Sequence, residues 1–107
     1  MHEATFLILT ALAGGSQHGY AIITDVEQLS KGRVRLRAGT LYAALDRLRG
    51  DGLIEIDREV IVASRLRRYY KLTSTGKQQL AAEAARLQSN ADAATSRLGL
   101  SGGMATT

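Results

Sequence analysis

The sequence contains no cysteine, no proline and no tryptophan, and only one phenylalanine and two histidines. Without cysteine there is no disulfide framework and no thiolate metal site. His2 and His18 lie in different segments, neither beside a carboxylate at ligand spacing, so no metal centre is expected. Without proline, every turn must be made by glycine or polar residues. No apolar run approaches the roughly 20 residues that cross a bilayer. The start, Met1-His2-Glu3-Ala4-Thr5-Phe6, has neither the basic stretch nor the cleavage site of a secretory signal. No nucleophile–base pair and no phosphate-binding glycine loop stand out. The expectation is a cytoplasmic protein that is not an enzyme, has no cofactor and does not associate with membranes.

What the sequence does have is an uneven charge. Residues 31–77 carry 12 Lys/Arg against 5 Asp/Glu, whereas the rest of the chain carries 2 against 5. Basic character is therefore concentrated where a polyanion would bind. At 107 residues the chain makes one domain. A core of this size is modest, and burial against a second copy would add to it.

The apolar spacing orders the chain. Phe6, Leu9, Leu12 and Ala13 predict a largely buried helix over about 3–13, stopped at Gly14-Gly15. Ser16 is expected to cap a second helix with Ile22, Ile23, Val26 and Leu29 inward, stopped at Lys31-Gly32. Residues 33–37 alternate and predict a very short strand, with Val34 and Leu36 inward and three arginines outward. Leu41, Leu45 and Leu48 define a third helix ended by Gly50 and Gly52. Ile54, Ile56, Val60 and Val62 then share one parity, broken by Arg58, opposite Glu55, Asp57 and Glu59. A turn at 63–65 leads to a return strand with Leu66, Tyr70 and Leu72 on one side. Thr73 offers a cap for a last helix, along which Leu80, Ala84, Leu87, Ala91, Ala94 and Leu98 form a heptad seam.

This order predicts a mainly α fold with a small β-wing, an α+β winged helix-turn-helix followed by a C-terminal dimerisation helix. The expected divisions are 1–73 for the DNA-binding domain, 74–98 for the dimerising helix and 99–107 for a flexible tail. With its leucines turned inward, the third helix leaves Thr40, Tyr42, Ala43, Ala44, Asp46 and Arg47 on its flanks and outer face. Thr40 can donate to a phosphate near the helix dipole. Tyr42 can reach a phosphate or a thymine methyl, and Arg47 a guanine or a phosphate. The plainer alternatives are that Thr40 is a cap and that Tyr42 packs on the second helix. Arg65, Arg67 and Lys71 stand on the wing, where they can straddle the backbone or enter the minor groove. Arg68 shares the apolar side and is the least secure of the wing cations. Arg37, with Arg33 and Arg35, flanks the third helix. The acidic row Glu55, Asp57 and Glu59 reads as a solvated face pairing with nearby arginines.

Three segments resemble the PadR family of bacterial transcriptional regulators. They are His18-Gly19-Tyr20; Gly39-Thr40-Leu41-Tyr42 with Leu45, Leu48 and Gly52-Leu53-Ile54; and Tyr69-Tyr70-Lys71-Leu72-Thr73 with Gly76. Together they cover most of residues 6–80. The resemblance implies a homodimeric repressor on a near-palindromic operator of double-stranded DNA, with Thr40 and Tyr42 entering the major groove. It carries the wing contacts to Arg65, Arg67 and Lys71, and it reads Tyr20 and Tyr70 as packing residues. Such regulators often respond to phenolic acids or lipophilic drugs, so a small-molecule effector of unknown identity is also implied. Two departures stand out: Ala43 replaces the usual proline, and no tryptophan is present to form a flat aromatic clamp. Two alternatives stay open: a sensor whose primary site lies between subunits, and a winged-helix module that binds protein.

Overall fold

The computed structural model describes residues 1–100. Helix α1 (Glu3–Ala13) forms over the predicted span and buries Ile8, Leu9, Ala11 and Leu12. Around it pack α2 (Gly19–Leu29), α3 (Ala38–Gly50) and a three-stranded antiparallel sheet. The sheet consists of β1 (Gln17–His18), β2 (Ile54–Val62) and β3 (Arg65–Leu72), in the order β1-β3-β2. Helix α4 (Ser74–Arg97) closes the chain. Ile22 and Val26 of α2, Leu41, Leu45 and Leu48 of α3, and Ile54, Tyr70 and Leu72 of the sheet complete the core. No helix among the described residues is long and apolar enough to cross a membrane.

Several local expectations are corrected. Residues 33–37 form no strand. Ser30, a fully buried polar residue, accepts from the Val34 amide at 2.9 Å and donates toward the Val34 carbonyl at 3.3 Å. That occupies the backbone groups a ladder would need. The alternation still describes exposure, since Val34 and Leu36 are half-buried against the core and Arg33, Arg35 and Arg37 are exposed. The small strand is instead Gln17–His18, pairing with Tyr70 and Tyr69. Ser16 does not cap α2; the N-cap is His18, and the Ser16 hydroxyl donates to Asp57 at 2.8 Å. Leu29, expected inward, is exposed.

The wing holds the other correction. Ile54 and Ile56 face Leu72 and Tyr70, but the register then slips, so that Arg58 rather than Asp57 opposes Tyr69. Asp57 is the extra residue of a β-bulge. Beyond it the faces exchange: Val60 and Val62 leave the side of Ile54 and Ile56, and Glu59 and Ile61 take their place. Val62 and Arg65 close the hairpin over two residues, Ala63 and Ser64, both at positive φ (51° and 64°). A type I′ hairpin turn requires that left-handed pair, which Asn-Gly adopts far more easily.

Thr73 caps α4 as expected, accepting from the Gly76 amide at 2.9 Å. Gly76 is buried because the Leu53 carbonyl lies where its Cβ would be, so only glycine lets α4 start against the strand. Leu80 packs on the chain's own core. From Ala84 to the end of α4, every residue is exposed, including Leu87, Ala91 and Ala94, and Leu98 beyond it is 70% exposed.

Candidate nucleic-acid interface

Helix α3 is fixed by Leu41, Leu45 and Leu48, each essentially without solvent contact. Their placement turns Thr40, Tyr42, Ala43, Asp46 and Arg47 to the surface. Ala44 is the exception to the expected outer face: it is buried and belongs to the core. The N-cap is Arg37, which makes no side-chain cap bond, so Thr40 sits in the exposed first turn and is not itself the cap. The first-turn amides and the Thr40 hydroxyl thus form a donor group at the positive end of the helix dipole.

Tyr42 packs on the second helix, the plainer of its two expected readings, and still stays partly exposed. Its ring lies over Gly19 at the start of α2, close enough that a Cβ there would collide with the hydroxyl, yet 44% of the residue remains exposed. Gly19 therefore sets where the Tyr42 hydroxyl can be. The two residues, with His18, Tyr20 and Asp46, form one wall of an open cleft whose other wall is the wing from Val62 to Arg68. His18 meets Tyr69 edge-on, with ring centroids 5.4 Å apart. Burial, then the nearby Arg67 charge, holds its pKa below the ordinary histidine value.

The cations divide by whether a carboxylate already neutralises them. Arg68 pairs with Glu59 at 2.6 Å. Lys71 lies 3.5 Å from Asp57 and 4.0 Å from Glu55. Arg58 bonds Asp57 at 2.8 Å and stacks over Tyr69, its guanidinium 4.1 Å from the ring centre. The Ser16 hydroxyl, followed by Arg58 and Lys71, holds the Asp57 carboxyl below its ordinary pKa despite an opposing desolvation. Arg33 lies 3.4 Å from Glu3. Among the described residues, Arg35, Arg37, Arg65 and Arg67 have no carboxylate within ion-pair distance. Arg47 is tied differently, donating to the Thr5 hydroxyl of α1 at 2.9 Å.

The structure thus brings Tyr42 and the free Arg65 and Arg67 to the two sides of one cleft, and leaves Thr40 on the other flank of α3 beside Ala43 and Arg47, with Arg37 at the head of the helix. It holds Arg47 toward α1 and Lys71 among carboxylates. Sequence reasoning missed His18 and Gly19 as parts of this wall; the only signal was their place beside Tyr20, ahead of the apolar run of α2.

Residues 8–82 match the transcriptional regulator PadR-like family. The chain is similar to an uncharacterized transposon protein of Streptomyces fradiae, 40% identical over 83 residues, covering 78% of this chain and 22% of that one. It is also similar to a transcriptional regulator of Mycobacterium tuberculosis, 38% identical over 73 residues, covering 68% of this chain and 64% of that one. It therefore spans less than two thirds of the length of either curated relative. Among solved structures it resembles Bacillus subtilis PadR in complex with operator DNA, with TM-score 0.69 and 25% identity. That match covers 78% of this chain and 47% of that one.

Proposed function

The chain belongs to the PadR-like family of transcriptional regulators, DNA-binding proteins of winged helix-turn-helix fold, and from that premise we propose that it is a homodimeric repressor of a near-palindromic operator. In this reading it works on DNA in the cytoplasm. Helix α3 enters the major groove, with Thr40 on a phosphate and Tyr42 at a base edge or a thymine methyl. Arg65 and Arg67 of the wing and Arg37 before α3 take phosphates. Arg47 and Lys71 contribute less, because each must first leave its partner in the free protein. The observation that carries the reading is the exposure of Thr40, Tyr42 and Ala43 on α3, near arginines that have no carboxylate partner among the described residues.

Residues 1–73 act as the DNA-binding unit and 74–98 as the dimerising helix, joined through Ala84, Leu87, Ala91, Ala94 and Leu98, with Leu80 at its root. The expected tail, 99–107, lies outside the described residues beyond position 100. Selection of duplexes from a random pool at two salt concentrations tests the proposal. Enrichment of a two-fold sequence whose half-sites lie about 10 base pairs apart is expected, with affinity falling steeply as salt rises. Flat binding at both salts, with no sequence enriched, overturns it.

A further inference from the structure

We propose that Asp46 is a specificity-determining residue of α3, whose carboxylate accepts a hydrogen bond from the exocyclic amino group of a cytosine in the major groove. This rests on the reading of α3 as the major-groove element and names a base that the helix selects.

Four residues of α3 stand farthest from the core. Leu41, Ala44, Leu45 and Leu48 face inward. At 3.6 residues per turn, the stripe opposite them is Gly39, Ala43, Asp46 and Gly50. All four are exposed. Around Gly39 and Gly50 the space is open, with nothing within 4 Å of where a Cβ would stand. The stripe that goes deepest into a groove therefore carries one polar side chain, Asp46. Tyr42 and Thr40 lie on its two flanks: Tyr42 shares the wing-side cleft with Asp46, whereas Thr40 lies in a depression toward α1. Glycine and alanine let the helix backbone approach the base edges closely, which brings a side chain as short as aspartate within reach.

The protein's own fold gives this carboxylate nothing. Among residues 33–50 it is the only acid, against five arginines. Those arginines do not neutralise it: Arg47 is turned to Thr5, and no cation among the described residues lies within ion-pair distance of Asp46. Aspartate is also a weak helix former, and here it sits in the half of α3 nearer the negative end of the helix dipole. It costs helix stability rather than adding to it.

The chemistry of the groove selects its partner. Phosphates repel a carboxylate, and the only donors on the major-groove edges are the amino groups of cytosine and adenine. Adenine N6 sits between two acceptors, its own N7 and the O4 of the paired thymine. Cytosine N4 has an acceptor on one side only, the O6 of the paired guanine. The carboxylate is therefore least repelled at cytosine.

The test is parallel selection from a random duplex pool with the wild type, Asp46→Asn and Asp46→Ala. The wild type is expected to enrich cytosine at one position of each half-site. Asparagine pairs with adenine N6 and N7, so Asp46→Asn should move that position to adenine and leave the others as they were. Asp46→Ala should lose preference at that position alone, with the ratio of operator to random-duplex affinity falling about tenfold. Both variants should melt like the wild type, since the side chain has no ionic partner in the fold. Variants that enrich the wild-type sequence at every position overturn the proposal. So does a loss of preference spread evenly over the half-site, or a lower melt with preference intact, either of which makes Asp46 a structural residue. If the wild type itself enriches no duplex and shows no salt dependence, the underlying repressor reading fails instead.

Discussion

Arg67 and Lys71 both point from the same side of β3, yet they face different electrostatic surroundings. Lys71 is held by Asp57 and Glu55, whereas Arg67 has no carboxylate partner among the described residues. A cation already paired releases fewer counterions from DNA when it docks, so the two are unequal in a salt titration. Arg67→Ala should weaken binding to all duplexes alike and flatten the log–log salt slope by about one unit. Lys71→Ala should change it by less, and isothermal binding across a salt series separates the two. An unchanged slope for Arg67→Ala removes the wing from the phosphate contacts. Gly19 acts at the same scale through geometry rather than charge. A Cβ there would displace the Tyr42 ring, which can swing away because its far end is free. Gly19→Ala should therefore change thermal stability by about 1 kcal/mol or less while eroding discrimination between operator and random DNA. Retained discrimination would mean that the position of the Tyr42 ring does not set specificity.

At the scale of elements, the hairpin turn is the least favourable piece of backbone in the wing. Ala63 and Ser64 both adopt positive φ, a conformation that disfavours a Cβ by roughly 1–2 kcal/mol per residue. Replacing the pair by Asn-Gly (Ala63→Asn with Ser64→Gly) should raise stability by about 1 kcal/mol, read by denaturant melts, and leave the register intact. A loss of stability would mean that the turn is held by contacts other than its own torsions. The same hairpin shows where sequence patterns were legible and where they were not. Helices α1 and α3 were readable because long apolar periodicity decides both their existence and their buried face. The return strand was readable because Leu66, Tyr70 and Leu72 keep one parity, interrupted only by Arg68. The outgoing strand was only half readable: Arg58, breaking an apolar row, was the trace of the bulge, but alternation alone does not say that the faces exchange. Strand β1 has two residues, Gln17 and His18, and so carries no period at all. The arginine-rich stretch 33–37 shows the reverse, a strand-like alternation imposed by a loop that Ser30 pins to the core. Of the site, the residue types and their helix were legible. Which cations are free was not, because Glu59 and Asp57 find their partners only through pairing across strands and through the bulge.

For the whole molecule, the unbalanced feature is α4, whose first turns pack on α1 and β3 while residues 84–97 are exposed on every side. A stretch of 14 residues is near the limit at which an isolated helix holds in water, even when rich in alanine. Leu87 and Leu98 continue the alternating four- and three-residue seam that begins at Leu80, and the alanines between them allow a second helix to approach closely. A second copy supplies such a helix, and two copies would set two α3 helices on one face of a duplex, which is the arrangement a two-fold operator requires. Leu87→Lys should then yield a monomer in sedimentation and lower the helical signal as the outer half of α4 frays. The core should survive, because no residue beyond Leu80 belongs to it or packs on it. Binding to a two-fold duplex should lose roughly half of its salt slope, since one protomer's phosphate contacts are gone. A Leu87→Lys protein that sediments as a dimer with full slope would place the subunit contact elsewhere and leave the exposed half of α4 without its proposed role.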